Sequence, residues 1–311
     1  MNDLLSGEPA VCKIADYVAE NMFEASQPQS PVTRSAEQYA ILIDKDRVML
    51  DRKHVEKVAA SGIYKVNLLT TDPFRYLVRS ILAGMYLSIV VCVYWSLMNN
   101  LQGSAFGKVL ASGFFGVGLS MIVLTNTELF TSNNLYLAIS SFERITTWGQ
   151  TVRLWAVCYL GNLAGAVIVA LLLYCAGIID ELPPDHALYV GAEHKVHEAA
   201  YAIFARGILA NWIVCLAVRI ALRCQEEVAK IMILVFVVFI FLYLGGEHSI
   251  ANMGTFSVAL MGHSTIGLGQ AAGNVLLATG GNIIGGVLLM GLPFVYINPR
   301  EVPELRDIGA G

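Results

Sequence analysis

The stretch Gly245-Gly246-Glu247-His248-Ser249-Ile250-Ala251-Asn252 places an acid and a histidine inside an apolar part of the chain. The sixteen residues that precede Glu247 and the fifty-two that follow it contain no Asp, Glu, Lys or Arg. Ionisable side chains inside membrane segments are costly and are mostly retained for function. We therefore expect the chemistry of the protein at this octet, and its paired glycines predict an interrupted helix.

The composition is that of a membrane protein. Hydrophobic residues make up 56% of the 311 residues, charged residues 14%, and the mean hydropathy is +0.61. Of the 44 charged residues, 21 lie in the first 79 positions. A net charge of −4 without any basic run predicts no nucleic-acid partner. The first residues lack the basic start and apolar core of a signal peptide, so the first span is expected to direct insertion.

Neither a metal site nor a cofactor is predicted. The six cysteines show no CxxC spacing, and most of them lie in apolar segments where they are expected to be small buried hydrophobes. His194, His197 and Glu198 would be the ligands of a metalloenzyme, but they lie at the outer end of a span and no transmembrane ligand completes the set. No enzyme is expected, and no catalytic residue is assigned.

Six membrane spans are predicted, because a span needs about 20 apolar residues. The second and fifth are too long for one simple crossing and contain polar breaks, at Thr125-Asn126-Thr127-Glu128 and at Gly245-Gly246-Glu247-His248. The spans are predicted at about residues 74–98, 106–142, 148–178, 196–222, 228–261 and 270–297.

Four regions follow from these spans. Residues 1–50 are expected to form a polar cytoplasmic arm. Residues 51–72 are expected to form a short amphipathic cytoplasmic helix, which Asp51 could cap and which ends at about Ala60, followed by a linker. Residues 73–298 form the six-span channel domain, and residues 299–311 a short cytoplasmic tail.

The lysines and arginines near the span ends predict the orientation of the chain. Nine lie on one side, whereas only Lys108 and Lys195 lie on the other. Because positive residues favour the cytoplasmic side, both termini are expected there, in an integral multi-pass protein of the plasma or inner membrane.

The two halves of the chain resemble each other. The segment from Glu128 to Asn133 aligns with the octet from Glu247 onward, and Gly161-Asn162-Leu163-Ala164-Gly165 aligns with Gly281-Asn282-Ile283-Ile284-Gly285. Upstream, Gly84 and Cys92 align with Gly207 and Cys215, both at the same offset. Three spans in each half require opposite topologies. The pattern predicts an all-α protein built as an inverted 3+3 repeat, with broken helices 2 and 5 and the solute path at the repeat interface.

The two breaks offer features that suit an anion. Half-helices that begin after Thr127 and Gly246 would present free backbone N–H groups and positive dipole ends. Glu128 and Glu247 are expected to cap these half-helices and to point away from the solute. Lys195, on the outer face, could draw anions inward, or it could be an ordinary interfacial lysine that pairs with a nearby glutamate.

His248 lies at the membrane-central position of the octet. An apolar wall disfavours its charged form, so we expect a neutral ring whose N–H can hold a monovalent oxyanion. The alternative is a buried histidine satisfied by backbone carbonyls. Phe115 and Leu119 lie one turn apart and could form an apolar constriction with Phe241, although core packing would give the same pattern.

Several of these motifs resemble the formate/nitrite transporter family. The resemblance covers about residues 50–297 and implies an aquaporin-like six-span protomer assembled as a homopentamer, with a pore in each protomer. It also implies transport of small monovalent anions of weak acids, often together with protons. The motifs are Glu-His-Lys-Val-His at 193–197, Gly-Ile-Leu-Ala-Asn at 207–211, Gly-Glu-His-Ser-Ile-Ala-Asn-Met at 246–253, Gly-Asn-Ile-Ile-Gly-Gly at 281–286 and Glu-Leu-Phe-Thr-Ser at 128–132.

The resemblance also implies roles for individual residues. His248 matches the central pore histidine, Lys195 the vestibule lysine, and Thr131 falls in the loop of the broken second span. Arg206 departs from the family pattern, in which this position is neutral, and it receives no role. Constriction residues are matched by Phe115, Leu119, Leu129 and Phe241, and repeat-related asparagines near the breaks by Asn133, Asn252, Asn162 and Asn282.

We therefore expect a proton-linked channel or transporter for small monovalent anions, with formate as the first candidate. Nitrite, hydrosulfide and lactate are alternatives for the same pore. A remote alternative is an aquaporin-like pore for neutral solutes, but it predicts paired Asn-Pro-Ala boxes that neither break contains. The expected partners are the anion, protons, the lipid bilayer and further copies of the chain.

Overall fold

A computed structural model describes residues 45–300, with side chains from Asp51 onward. This part of the chain is helical and contains no strand. The helices are α1 (Lys45–Thr71), α2 (Pro73–Asn100), α3 (Gly107–Leu124), α4 (Phe130–Phe142), α5 (Trp148–Cys175), α6 (Ala187–His197), α7 (Ala200–Ala221), α8 (Glu227–Tyr243), α9 (Ser249–Met261), α10 (Leu268–Gly286) and α11 (Leu292–Tyr296), with a π-helical turn (Val287–Gly291) before the last.

Five helical segments of the described chain are long and apolar enough to cross a membrane. They are α2, α3, α5, α7 and the continuous run Leu268–Tyr296. Their outer faces carry large exposed apolar side chains such as Leu160 and Leu276, as expected where lipid rather than water surrounds the protein. The prediction of an all-helical membrane protein is confirmed, whereas length and composition identify five spans where six were predicted.

Two pairs of helices are separated by short non-helical segments at the predicted polar breaks. α3 ends at Leu124 before α4 begins at Phe130, and α8 ends at Tyr243 before α9 begins at Ser249. Asn126 and Gly245 adopt left-handed backbone, with φ of 53° and 76°, which turns the chain out of the first helix of each pair. Glycine adopts this conformation without strain, and asparagine tolerates it better than most residues.

Glycines bring α5 against α2 and α10 against α7 at backbone distance. A Cβ atom on Gly165 would lie 2.1 Å from the carbonyl oxygen of Ile81, and one on Gly285 would lie 2.2 Å from that of Ile208. No side chain can be accommodated at either position. Such small-residue contacts let membrane helices approach closely, and here they bring Asn162 and Asn282 up to the neighbouring helix.

These contacts revise the predicted alignment of the two halves. Asn162 Nδ2 donates to the carbonyl of Ser80, and Asn282 Nδ2 donates to that of Gly207. Gly207 is therefore the counterpart of Ser80, and its predicted alignment with Gly84 is wrong by about one helical turn. Ser80 and Gly84 lie on the same face of α2, so the sequence pattern suits both registers.

Helix α1 is longer than predicted. It begins at Lys45 and continues to Thr71, so Asp51 lies inside the helix rather than at its N-cap, and no linker precedes Asp72. The Ser61-Gly62 pair favours an ending near Ala60 in isolation. In the folded protein Gly62 is a contact point instead, since a Cβ there would lie 2.6 Å from Ser140 Cβ.

Charged residues fasten α1 to the ends of other helices. Arg52 Nη2 lies 2.6 Å from Glu143 Oε2, and its Nη1 donates to the carbonyl of Asn298 at 3.1 Å. Arg300 also binds Glu143, at 3.0 Å. The hydrogen bond from Arg52 is the main cause that holds the pKa of the Glu143 carboxyl below its ordinary value, and Arg300 adds to it.

The glycine contact on α10 should be intolerant of a single methyl group. Replacing Gly285 by Ala should destabilise the protein by about 3 kcal/mol or more, because the neighbouring atom is backbone and cannot move aside. The matched control is Gly273→Ala on the same helix, where a Cβ would meet nothing within 4 Å. Thermal unfolding in detergent should separate the two variants, and equal melting temperatures would contradict the contact.

The buried ion pair at Glu143 should contribute to stability. Glu143→Gln leaves the buried Arg52 with only the exposed carboxylate of Glu56 as an ionic partner, for an expected cost of about 3 kcal/mol. Glu56→Gln is the matched control, because it removes the other carboxylate on Arg52, which is 59% exposed, and should cost less than about 0.5 kcal/mol.

The same ion pair predicts a pH dependence. Since the pKa of Glu143 is lowered by folding, its contribution is complete above the ordinary glutamate pKa and is lost as the pH falls through the lowered pKa. Thermal melts across the acidic range should show this loss in the wild type and less of it in Glu143→Gln. Parallel curves would show that Glu143 is not linked to folding.

Candidate functional site

Two cavities lie beside the helix interruptions. The first has a volume of about 570 Å³ and reaches His248, and the second has a volume of about 210 Å³ and reaches Leu129. Phe115, Phe241, Lys195, Glu247 and Asn252 also line the first cavity. Lys65, Arg79, Glu128 and Asn133 also line the second.

The first cavity contains a buried triad formed by Lys195, Glu247 and Asn252. The Lys195 ammonium lies 2.6 Å from Glu247 Oε1, and Asn252 Nδ2 donates to the other carboxylate oxygen. Lys195 lies on α6, whereas Glu247 precedes α9 and Asn252 is in its first turn. Lys195 therefore pairs with an acid from a distant segment of the chain, and not with a neighbour on its own helix.

The second cavity contains a triad of the same composition. Lys65 Nζ lies 2.6 Å from Glu128 Oε2, and Asn133 Nδ2 donates to that same oxygen at 3.0 Å. Sequence analysis missed Lys65 because it ended α1 near Ala60. The available signal was positional, since Lys65 lies in the helix before the first span of its half, as Lys195 does in the other half.

Asparagine side chains hold the backbone at both interruptions. The Oδ1 atom of Asn162 accepts the N–H of Phe130 at 2.9 Å, and its Nδ2 donates to the carbonyl of Glu128. Asn282 does the same for Ser249, at 2.9 Å, and for the carbonyl of Glu247. These contacts support the predicted position of Asn162 and Asn282 at the helix breaks.

The predicted capping role of the two glutamates is wrong. The N-caps are Leu129 for α4 and His248 for α9, and neither glutamate side chain accepts a hydrogen bond from a helix N–H. Each carboxylate is bound by a lysine and an asparagine side chain instead. The backbone of both glutamates is hydrogen-bonded to another helix. The N–H of Glu128 donates to the carbonyl of Arg79 on α2, and that of Glu247 donates to the carbonyl of Arg206 on α7.

The imidazole ring of His248 is held on both sides. Its Nδ1 accepts the N–H of Ala251 at 3.2 Å, and its Nε2 lies 2.9 Å from Thr131 Oγ1. Because Nδ1 accepts, the proton of the neutral ring is on Nε2 and is donated to Thr131. A doubly protonated ring would lose the bond to Ala251, so the contacts favour the neutral form and leave the Thr131 hydroxyl proton free to donate.

A pair of aromatic rings lies on one side of His248. The Phe241 ring stacks on the imidazole with centroids 6.0 Å apart, and Phe115 meets Phe241 edge-on at 6.1 Å. Phe115 and Phe241 line the first cavity and Leu129 the second, whereas Leu119 and Thr131 are buried and line neither. Three of the four predicted constriction residues therefore line a cavity, and the fourth, Leu119, is buried and lines neither.

Arg206 has a defined place in the first cavity. It lines the cavity wall, and its guanidinium lies 2.6 Å from Glu198 Oε1.

In the described residues, no three His, Cys, Asp or Glu side chains form a group that could hold a metal ion. His197 Nδ1 is hydrogen-bonded to the carbonyl of Glu193, and Glu198 is engaged by Arg206.

The sequence matches the family model described as "Formate/nitrite transporter" over residues 52–296. The chain belongs to the formate/nitrite transporter family. This match confirms the resemblance predicted from the motifs, and it makes the protein an integral membrane protein of a family of channels and transporters.

Relatives and solved structures agree with the family. The chain is 33% identical to nitrite transporter NirC of Salmonella typhimurium, over 79% of this chain and 92% of that protein. It is 32% identical to formate channel FocA of Escherichia coli, over 78% and 91%. A solved FNT family ion channel has a TM-score of 0.77 at 30% identity, over 79% of this chain and 99% of that one. A pentameric formate channel with formate bound has a TM-score of 0.62 at 25% identity, over 71% and 95%.

The bridging asparagine of a formate/nitrite transporter should be essential to its fold. Asn282→Ala removes the side-chain partners of the buried Ser249 N–H and of the Glu247 carbonyl, and it also removes the bond to the Gly207 carbonyl of α7, for an expected loss of at least about 3 kcal/mol. Thermal unfolding in detergent measures it, with Asn67→Ala on the exposed side of α1 as the control. A melting temperature equal to that of the control would contradict the bridging role.

Proposed function

We propose that the protein conducts small monovalent anions of weak acids, with formate first, and that each anion combines with a proton inside the pore. The observation that carries this proposal is the neutral imidazole of His248, fixed between Phe241 and Thr131 in the wall of a cavity that also contains a Lys–Glu–Asn triad. Anion transport follows from membership of the family, and the proton linkage is the part of the proposal for which the geometry is the support.

The charge of the solute decides the energetics. Bringing an anion from water into a low-dielectric pore is very expensive unless the charge is compensated or removed. The ammonium of Lys195 offers partial compensation in the first cavity, but Glu247 cancels much of its field. The aromatic rings of Phe115 and Phe241 offer none, so a monovalent anion should cross them most easily as its neutral acid.

Protonation needs a place where the anion waits. The Thr131 hydroxyl accepts from His248 Nε2 and can donate its own proton toward an anion oxygen, so the pair holds an oxyanion without a positive charge. A hydronium ion that enters the cavity from the bulk then protonates the anion, as in HCOO⁻ + H₃O⁺ → HCOOH + H₂O, and no covalent bond to the protein is made. The neutral acid passes the Phe–Leu constriction and releases its proton in the second cavity beside Lys65.

The proposed architecture has six membrane crossings in an inverted 3+3 repeat. The crossings are α2, α3 with α4, α5, α7, α8 with α9, and α10 with α11, in homopentamers whose protomers each contain one pore. The equivalent contacts of Asn162 and Asn282 support the repeat. The solved pentameric formate channel supports the assembly, and the nine-to-two charge count supports cytoplasmic termini.

Nitrite is the second candidate solute. The identity to nitrite transporter NirC is 33% and that to formate channel FocA is 32%, so the relatives favour neither. Both anions are small and planar, with two oxygen atoms that can accept the same hydrogen bonds. Competition by nitrite, hydrosulfide and lactate against formate uptake separates the candidates, and the strongest competitor at equal concentration is the best substrate.

Replacing His248 tests the proton-linked mechanism. His248→Phe keeps an aromatic ring against Phe241 but removes the Nε2–H that orients the Thr131 hydroxyl toward the anion. The bond from Thr131 to the anion is then lost, so formate uptake into proteoliposomes should fall by about 10- to 100-fold, the value of one hydrogen bond to a charged group. The steep rise of uptake with falling external pH should also disappear. His263→Phe, at an exposed histidine outside both cavities, is the matched control.

Thr131→Val supplies a second arm of the same test. It keeps the shape of the side chain and the position of His248 but removes the hydroxyl that faces Nε2. We expect a loss of uptake comparable to that of His248→Phe. Unchanged flux and unchanged pH dependence in both variants would exclude the mechanism.

A further inference from the structure

The two buried lysines are poor groups for capturing an anion from solution. The side chain of Lys195 is 17% exposed and that of Lys65 is 14% exposed, and each ammonium lies 2.6 Å from a glutamate carboxylate. A compensated charge produces only a weak field at the mouth of a cavity, where salt also screens it. The initial capture of an anion therefore requires another cation at each cavity.

Arg206 fits this need in the first cavity better than Lys195 does. It is also paired with a carboxylate at 2.6 Å, but it is more exposed and has more hydrogen-bond donors. Its side chain is 42% exposed and lines the cavity wall, within the same lining as Lys195. One of its N–H groups is engaged by Glu198, and the guanidinium carries five donors in a planar fork. The remaining donors suit a planar oxyanion, since the fork matches two oxygen atoms on one carbon or nitrogen.

Arg79 occupies the equivalent position in the second cavity. It directly precedes Ser80, and Arg206 directly precedes Gly207, the two residues whose carbonyls accept from the bridging asparagines. The carbonyl of Arg79 also accepts the N–H of Glu128, and that of Arg206 accepts the N–H of Glu247. Arg79 lines the second cavity, and no carboxylate from residues 51–300 lies within 4 Å of its guanidinium.

Glu198 lowers the effective positive charge that Arg206 presents to the first cavity. Its side chain is only 11% exposed, and its Oε2 atom is buried without a hydrogen-bond partner in the described structure. The carboxylate thus fixes the guanidinium at the cavity while partly cancelling its charge. An arriving anion competes with Glu198 for the same cation, so removing the charge of Glu198 should strengthen capture.

We infer that Arg206 and Arg79 are the anion-capture residues of the two cavities. They bind a planar monovalent oxyanion, such as formate or nitrite, in a two-point contact before it reaches the lysine triads. This inference rests on the proposed function and deepens it, because it assigns the affinity for the solute to the arginines and the crossing step to His248. It also gives Arg206, the departure from the family pattern, a role.

The test measures initial rates of formate uptake into proteoliposomes as a function of formate concentration. Arg206→Gln should raise the half-saturating concentration about 3- to 10-fold with little change in the maximal rate, since capture precedes the crossing step. Arg206→Lys should have a smaller effect, because it keeps the charge and loses the fork. Glu198→Gln should shift the half-saturating concentration downward, a change that damage to the fold would not produce.

The matched control is Arg75→Gln. Arg75 is also paired with an acid, Asp72, but it is exposed and lines neither cavity. Raising the ionic strength should weaken uptake by the wild type and the control more than uptake by Arg206→Gln. Arg79→Gln should likewise raise the half-saturating concentration for release from loaded vesicles.

The outcomes separate this inference from the proposed function. If the half-saturating concentration is unchanged in Arg206→Gln, or changes as much in Arg75→Gln, the arginine inference is wrong while transport stands. If Arg206→Gln does not assemble, the other two variants test the inference. It predicts a higher half-saturating concentration for Arg206→Lys and a lower one for Glu198→Gln, and it is wrong if neither shift is found. If wild-type vesicles take up neither formate nor nitrite, the proposed function fails and the inference fails with it.

Discussion

Backbone groups that lose their helical partners inside a membrane must find others, and the rest of the structure depends on how this is done. Unpaired N–H and C=O groups in an apolar interior cost several kcal/mol each. Asn162 and Asn282 supply the missing hydrogen-bond partners. Each binds an N–H at a helix N-terminus, the carbonyl of the preceding glutamate and a carbonyl of a neighbouring helix. The interruptions are therefore rigid, well-bonded features.

The bridges fix the positions of everything around them. An asparagine can reach the neighbouring helix only because Gly165 and Gly285 remove the side chain that would hold the helices apart. Once the interruptions are held, Glu128 and Glu247 project toward lysines from distant helices. Two cavities with equivalent charged groups result. The two segments nevertheless differ at the residue after the glutamate, which is Leu129 in the first half of the chain and His248 in the second. That single difference gives only one interruption a titratable ring.

The charged residues of this formate/nitrite transporter lie at the two cavities, whereas the predicted constriction is formed by apolar side chains. Cations stand at the cavities, where water and salt moderate their cost, while the apolar side chains of Phe115, Leu119 and Leu129 offer an anion no compensating charge. In the proposed mechanism, a small anion is concentrated at the cavities and is neutralised before it passes these apolar side chains. The ring of His248, uncharged and held in place by Ala251 and Thr131, lies at the boundary between the two.

The sequence by itself determined the membrane class, the family and the two interruptions, and it singled out His248 as the candidate site, because hydropathy, glycine placement and an isolated histidine are local signals. It also paired Asn162 with Asn282. Tertiary structure alone decided that Lys195 joins Glu247 and Lys65 joins Glu128, since partners so far apart in the chain leave no periodic trace. It also decided the register of the two halves. A shift of one helical turn leaves the apolar pattern almost unchanged, and only the contacts of bridging side chains distinguish the two possibilities.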